Sequence, residues 1–311
     1  MTLLYYDSIF QEHETGDHPE SGWRILAVVR HLQFLGLDSS CERPAWDPAT
    51  IDELCYVHTR EYVESIRQFA AEGGGNLDDD TVVSEKSFEV ARKAVGAVGD
   101  AVRRVVAGRA SNAFCLVRPP GHHAMPDRAM GFCLFNNVAI AARIATHELA
   151  LRRVLIIDID VHHGNGTQAI FWEDADVGYF SIHRASFYPG TGASDEIGAG
   201  KGLGTTFNLP IEFGTSRESL VRTFEIGISQ FAEHIRPQLV LVSAGFDAHK
   251  ADTNGSLGLE SEDYKRLTRC LLEIAQRHCD GKLVSVLEGG YNRYSLTESV
   301  DYHLHELLDA S

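Results

Sequence analysis

Leu239-Val-Leu-Val-Ser243 and Leu283-Val-Ser-Val-Leu287 are short aliphatic runs with almost no polar interruption. Such a run is too short for a buried helix, and its β-branched content suits a strand covered on both faces. Similar runs stand at Leu3–Tyr6, Ala113–Val117, Val154–Ile159, Val177–Ile182 and Thr206–Leu209. Longer amphipathic stretches separate them, at Gly22–Phe34, Arg60–Ala71, Glu85–Ala107, Asn136–His147, Ser216–Glu233 and Ser261–Arg277. In Glu85–Ala107, Phe88, Ala91, Val95, Val98, Val102 and Val105 form one stripe, with Ser84 as expected N-cap and Gly108 as C′ residue. This alternation predicts an α/β fold: a doubly wound, mainly parallel β-sheet flanked by helices. At ~150 residues per domain the length suggests two domains. No linker, repeat or low-complexity segment divides the chain, so one domain over residues 1–311 is expected.

Charge narrows the function. Lys and Arg number 28 against 44 Asp and Glu, a net charge of −16. That balance argues against direct nucleic-acid binding, which needs clustered cations to track phosphates, and is compatible with a cationic substrate. No stretch approaches the ~18 apolar residues of a membrane span. Six cysteines without a CxxC pair read as free thiols in a reducing compartment. The N-terminal stretch has no basic segment followed by an apolar run, so a cytoplasmic location is expected.

Four predicted strands run into unusual polar sequences. Ala113–Val117 leads to Arg118-Pro-Pro-Gly-His122-His123-Ala124, and Val154–Ile159 overlaps Asp158-Ile-Asp160-Val-His162-His163-Gly-Asn165. Leu239–Ser243 leads to Ala-Gly-Phe-Asp247-Ala-His249, and Leu283–Leu287 to Glu288-Gly-Gly-Tyr291-Asn292. Ligands bind beyond the carboxyl ends of strands in open parallel sheets, so these segments should converge on one edge. In an extended segment Asp158, Asp160 and His162 share a face. With Asp247 from another strand, Asp160 and His162 make a two-carboxylate, one-imidazole ligand set that leaves a position open, as in catalytic metal sites. The competing reading is a buried Asp–His pair without metal. One imidazole of the His122–His123 pair could serve as general base and later as acid, its ring oriented by Asp158 or Asn165. Tyr291, after two glycines that permit unusual φ, could stabilise an oxyanion.

Other catalytic patterns are absent. His13-Glu14 and His147-Glu148 lack the second histidine of HExxH, and no GxSxG surrounds Ser243. The Gly190–Gly204 loop has neither a phosphate-loop pattern nor GxGxxG. Position 249 is His, so no further carboxylate beside Asp247 supports a binuclear centre.

At these residues the chain resembles the metal-dependent histone deacetylase family and its related amidohydrolases, on the arginase–deacetylase fold. The resemblance runs from His18-Pro19-Glu20 with Arg24-Ile25 to beyond Tyr291. It is carried by RPPGHHA, GFCLFNN (Gly131–Asn137), DIDVHHGNGTQ (Asp158–Gln168), SAGFDAH (Ser243–His249) and LEGGYN (Leu287–Asn292). Asn165 resembles the class II branch and its bacterial relatives, where class I members carry Asp. The resemblance implies zinc-dependent removal of an acyl group from an N-acyl-lysine or a similar N-acylated amine.

It further implies that Asp160, His162 and Asp247 bind one zinc ion, with ferrous iron as the alternative. His123 would be the principal base and acid, His122 its electrostatic partner supported by Asp158, and Tyr291 the group polarising the acyl carbonyl. Gly131, Phe132, Tyr188, Gly289 and Gly290 would contact substrate, Phe132 and Tyr188 flanking a narrow channel. A structural potassium ion would use Asp158, the carbonyls of 160 and 162, Ser181 and Ile182. Polyamine-selective relatives place Glu where Asn254 stands, which weakens an acetylpolyamine reading. The Asp78-Asp79-Asp80 run falls where relatives place a rim loop. A non-catalytic acyl-lysine binding module is the reading from another class, and a homo-oligomer is left open.

Overall fold

Chain order in the computed structural model, which describes residues 1–311, begins with β1 (Thr2–Tyr5), α1 (Gly22–Leu35), α2 (Ile51–Leu54) and α3 (Arg60–Ala71). Next come β2 (Gly74–Asn76), β3 (Val82–Ser84), α4 (Ser87–Val106), β4 (Asn112–Cys115) and α5 (Asn137–His147). The middle holds β5 (Val154–Asp158), α6 (Asn165–Phe171), β6 (Val177–Arg184), β7 (Thr206–Ile211) and α7 (Arg217–Ile235). The chain closes with β8 (Leu239–Ala244), α8 (Ser261–Cys279), β9 (Leu283–Leu287) and α9 (Arg293–Asp309).

Seven strands form one sheet in the order β1-β4-β9-β8-β5-β6-β7, and every pairing in it is parallel. Helices α4 and α5 pack together against one part of the sheet surface, while α1, α9, α8 and α7 form a separate packed series. Strand residues Val154–Asp158, Leu239–Ala244 and Leu283–Leu287 are buried throughout, as strands covered on both faces require. One continuous cluster of 82 buried apolar side chains runs through both layers, which makes the whole length one domain. No helix is long and apolar enough to cross a membrane.

The predicted elements are present within a few residues. Asn136 and Ser216 are the N-caps of α5 and α7, each accepting a backbone N–H. Gly108 takes the left-handed φ of 70° that ends α4. Ser84 is not the cap of that helix. It ends β3, and its N–H donates at 2.7 Å to Ser87 Oγ, so α4 starts at Ser87. The acidic run 78–80 occupies the tip of the β2–β3 hairpin, where Asp78 Oδ1 accepts the N–H groups of Asp80 and Thr81. Helix α9 has no counterpart in the sequence reading, although Leu296, Val300, Leu304 and Leu307 repeat at helical spacing and are buried.

The sheet order fixes the site. Strands β4, β9, β8 and β5 are consecutive neighbours, so the polar segments that follow them meet at one carboxyl edge.

Candidate active site

Asp160 and His162 follow the end of β5, and Asp247 follows β8 beside it. One donor atom from each lies within 4.8 Å of the others. His162 Nδ1 is 3.0 Å from Asp160 Oδ1 and 3.2 Å from Asp247 Oδ2. The far ring nitrogen, Nε2, donates at 3.1 Å to the Asn254 carbonyl, which points Nδ1 inward as an acceptor. Backbone amides hold the carboxylates: Asp160 accepts from His162 N and Gly289 N at 2.9 and 2.8 Å, and Asp247 Oδ1 from Val161 N at 2.9 Å. Asp247 Oδ2 is buried with no hydrogen-bond partner. Burial and the adjacent Asp160 carboxylate push Asp247 up to about 7. Two dry carboxylates and an inward imidazole lone pair are costly together unless a cation joins them. This donor set therefore fits a divalent metal, with oxygen and nitrogen donors of the kind zinc takes.

The two tandem histidines divide the orienting partners between them. His122 Nδ1 faces Asp158 Oδ2 at 3.0 Å, and His123 Nδ1 faces Asn165 Oδ1 at 2.8 Å. Burial opposes charge on His122, but Asp158 and Asp160 outweigh it and push its pKa up to about 10. Burial, with His122 and His162 alongside, holds His123 well below its usual value and therefore neutral. Two rings 4.0 Å apart thus differ in charge, since a second cation there is unfavourable. Asp158 does not join the metal set. It also accepts from the Tyr179 hydroxyl and the Asp160 N–H, both at 3.1 Å.

Asp80, His123, Gly131, Phe132, His162, Phe187, Tyr188, Asn254 and Tyr291 line a cavity of about 220 Å³. Phe132 and Tyr291 meet edge-on at 5.7 Å, and Tyr188 meets the His123 ring edge-on at 5.2 Å. A Cβ on Gly131 would come within 2.5 Å of the His123 ring, so glycine there lets the wall close on the histidine. Gly289 and Gly290 do not line the cavity. Gly289 packs on the Asp247 and Asp160 carboxylates, and Gly290 packs on Leu296 and Phe246. Asp158 and Ser181 sit opposite each other in the β5–β6 register with Ile182 next in line, and Ser181 Oγ hydrogen-bonds His183 Nδ1.

Several supporting residues carried no local sign of their role. Phe187 stacks on His162 with ring centroids 5.3 Å apart. Glu288, pushed up to about 7 by burial, accepts the N–H groups of Gly121 and His122 at 2.6 and 3.2 Å. It thereby ties the segment after β9 to the histidine loop. Arg24 Nε donates to the Gly290 carbonyl and Nη2 to that of Glu288, both at 2.6 Å, and its guanidinium lies 4.7 Å from the Tyr291 ring centre. Glu20 in turn binds Arg24 and Arg118 in a fully buried network. Asp252 accepts the N–H groups of Tyr291 and Asn292. Arg24 lies in the predicted helix Gly22–Phe34 and Glu288 in a predicted loop, and only their burial, which requires a partner for each charge, shows their role.

A model of the histone deacetylase domain matches residues 18–307. The chain is 38% identical over 319 residues to "Histone deacetylase 10, chloroplastic" of Oryza sativa subsp. japonica, an alignment covering 96% of this chain and 71% of that protein. It is 35% identical over 310 residues to "Histone deacetylase-like amidohydrolase" of Pseudomonas aeruginosa, covering 94% and 82%. The solved HDA15 HD domain superposes with a TM-score of 0.92 at 36% identity, over 99% of this chain and 88% of that one.

Proposed function

The chain belongs to the histone deacetylase family, and we propose that it is a zinc-dependent amidohydrolase that removes an acyl group, most simply acetyl, from N-acyl-lysine or a similar cationic amine. One observation carries this reading: His162 of the donor triad, a neutral His123 imidazole and Tyr291 line one cavity, with Asp160 and Asp247 behind His162. Asp160, His162 and Asp247 would hold the zinc, which when bound would supply Lewis acidity towards the carbonyl and lower the pKa of water towards ~7. Ferrous iron suits the same donors, and elemental analysis separates the two.

The protein groups do the rest. His123 carries its hydrogen on Nδ1, towards Asn165, so Nε2 is the atom that takes a proton from the attacking water. His122, charged beside Asp158, stays a fixed cation and not a second base. The water oxygen bonds to the acyl carbon, the carbon–nitrogen bond breaks, and His123 passes its proton to the leaving amine. Burial holds the Tyr291 phenol well above its usual pKa, so it remains a donor to the developing oxyanion. Phe132 and Tyr188 wall the acyl-bearing chain, and Gly131 allows it close to His123. Asp158, Ser181, Ile182 and the carbonyls of 160 and 162 are the proposed potassium ligands, supported by the side-by-side placement of Asp158 and Ser181. The six free cysteines accord with a cytoplasmic location.

Incubating the purified protein with an acetyl-lysine peptide and quantifying acetate tests the proposal. Acetate release is the expected result. Its absence at full metal occupancy would leave a non-catalytic acyl-lysine binder. Acetylspermidine run in parallel tests the polyamine alternative, which the neutral Asn254 at the cavity disfavours.

Two further outcomes are expected. A Cβ at position 289 would overlap Asp247 Oδ2 and approach within 2.6 Å of Asp160 Oδ2. Gly289→Ala should therefore lower bound metal per chain in elemental analysis while the circular dichroism spectrum is kept. Asp80 lines the cavity beside exposed Asp78 and Asp79. On a lysine-rich peptide, kcat/KM should fall as salt rises from ~0.1 to ~1 M and the screening length shrinks from ~10 to ~3 Å. A flat response would return the acidity to a solubility feature.

A further inference from the structure

Met1 apart, the chain has only two methionines, Met125 and Met130, and both touch one side chain. Asn165 Nδ2 donates to Met125 Sδ at 3.3 Å and to Met130 Sδ at 3.2 Å, while its Oδ1 faces His123 Nδ1 at 2.8 Å. The loop that follows the tandem histidines places both sulfurs. Met125 N donates to the Arg128 carbonyl, and Met130 and Cys133 pair through their backbones. The Met125 carbonyl is also fixed at 2.9 Å from His58 Nδ1.

A carboxamide has one donor end and one acceptor end of nearly equal shape, so its environment must select which faces the histidine. A thioether sulfur offers only lone pairs. The NH₂ group accordingly faces the sulfurs, and the carbonyl oxygen is left for His123. Reversed, the amide would aim its oxygen at two sulfurs and present N–H to Nδ1, which would drive the ring hydrogen to Nε2. We propose that Met125 and Met130 are positioning residues that hold the Asn165 amide in one orientation and so keep His123 in its Nδ1–H tautomer. The catalytic consequence rests on the reading of His123 as the base; the tautomer itself does not.

A double-mutant cycle tests this in the zinc-loaded protein. The paired substitution Met125→Leu with Met130→Leu keeps apolar volume and removes both acceptors. Expected is a fall in kcat of about three- to tenfold, the net size of one ordinary hydrogen bond, with KM little changed. Asn165→Asp presents an oxygen to His123 in either orientation, so adding the two leucines to that variant should leave kcat unchanged. An equal loss in both backgrounds, or no loss in the first together with an unchanged tautomer, would overturn the proposal.

Nitrogen-15 chemical shifts of His123 give a readout independent of turnover. The wild type should show a protonated Nδ1 and a bare Nε2, and the double leucine variant a mixture of tautomers. Unchanged shifts in that variant would overturn the proposal even if Asn165→Asp proves inactive. A tautomer mixture with unchanged kcat would uphold the clamp and remove His123 from the role of base.

Discussion

Asp247→Asn and Asp160→Asn should each strip the protein of its metal, with kcat/KM falling on the order of 10³–10⁴, equivalent to several kcal/mol of lost charge stabilisation. The two substitutions should differ in stability. Asp247 Oδ2 accepts no backbone N–H and faces only His162 Nδ1 at 3.2 Å, so an amide there loses charge and breaks no backbone hydrogen bond. Both oxygens of Asp160 accept backbone N–H groups, from His162 and Gly289. An NH₂ group at either place would face another donor, so Asp160→Asn should also cost about 1–3 kcal/mol of folding stability. Elemental analysis with chemical denaturation distinguishes these outcomes, and full metal occupancy in both variants would refute the ligand assignment.

Tyr291→Phe should keep its metal and lose on the order of 10²–10³ in kcat, as removal of an oxyanion donor does. The ring should stay in place, because nothing that positions it depends on the hydroxyl. Asp252 holds its N–H at 2.6 Å, Arg24 holds the Gly290 and Glu288 carbonyls, and the ring packs on Phe132 and the Arg24 guanidinium. The loss should fall on kcat with KM little changed, since the interaction strengthens as negative charge develops on the oxygen. Near-wild-type turnover on an acetyl-lysine peptide would remove Tyr291 from this role.

Much of the architecture is legible in local pattern. Aliphatic runs such as Leu239–Ser243 and Leu283–Leu287 are strands because they can be buried on both faces, and the amphipathic stretches between them are helices. Helix α9 escaped because charged and polar residues dilute its apolar positions between Arg293 and Asp309. Ser84 misled as a cap because Ser87, three residues on, has the same chemistry and a hydroxyl that reaches back.

The site divides in the same manner. Asp160 and His162 lie two residues apart in the bend that follows β5, where the His162 N–H donates to Asp160 Oδ1, so their pairing is local. Asp247 joins them only because β8 pairs with β5. Sequence could propose either Asp158 or Asn165 as partner for a tandem histidine. The assignment of Asp158 to His122 and Asn165 to His123 depends on Asp158 ending β5 and Asn165 opening α6. The orientation of the Asn165 amide depends on sulfurs 35 and 40 residues away along the chain.

The sequence by itself determined which segments become strands, where polar chemistry leaves them, and which residue types were available as ligands, base and oxyanion donor. Each of these follows from short-range periodicity and from side-chain chemistry. Tertiary structure alone decided the partners: β9 inserted between β4 and β8, Glu288 on the His122 loop, Arg24 under Tyr291, and Gly289 against two carboxylates. The Arg24 contacts reach far along the chain, its hydrogen bond to the Gly290 carbonyl joining residues 266 positions apart. Charge, burial and hydrogen-bond satisfaction at such separations are set by the packing of the whole sheet, which no local window contains.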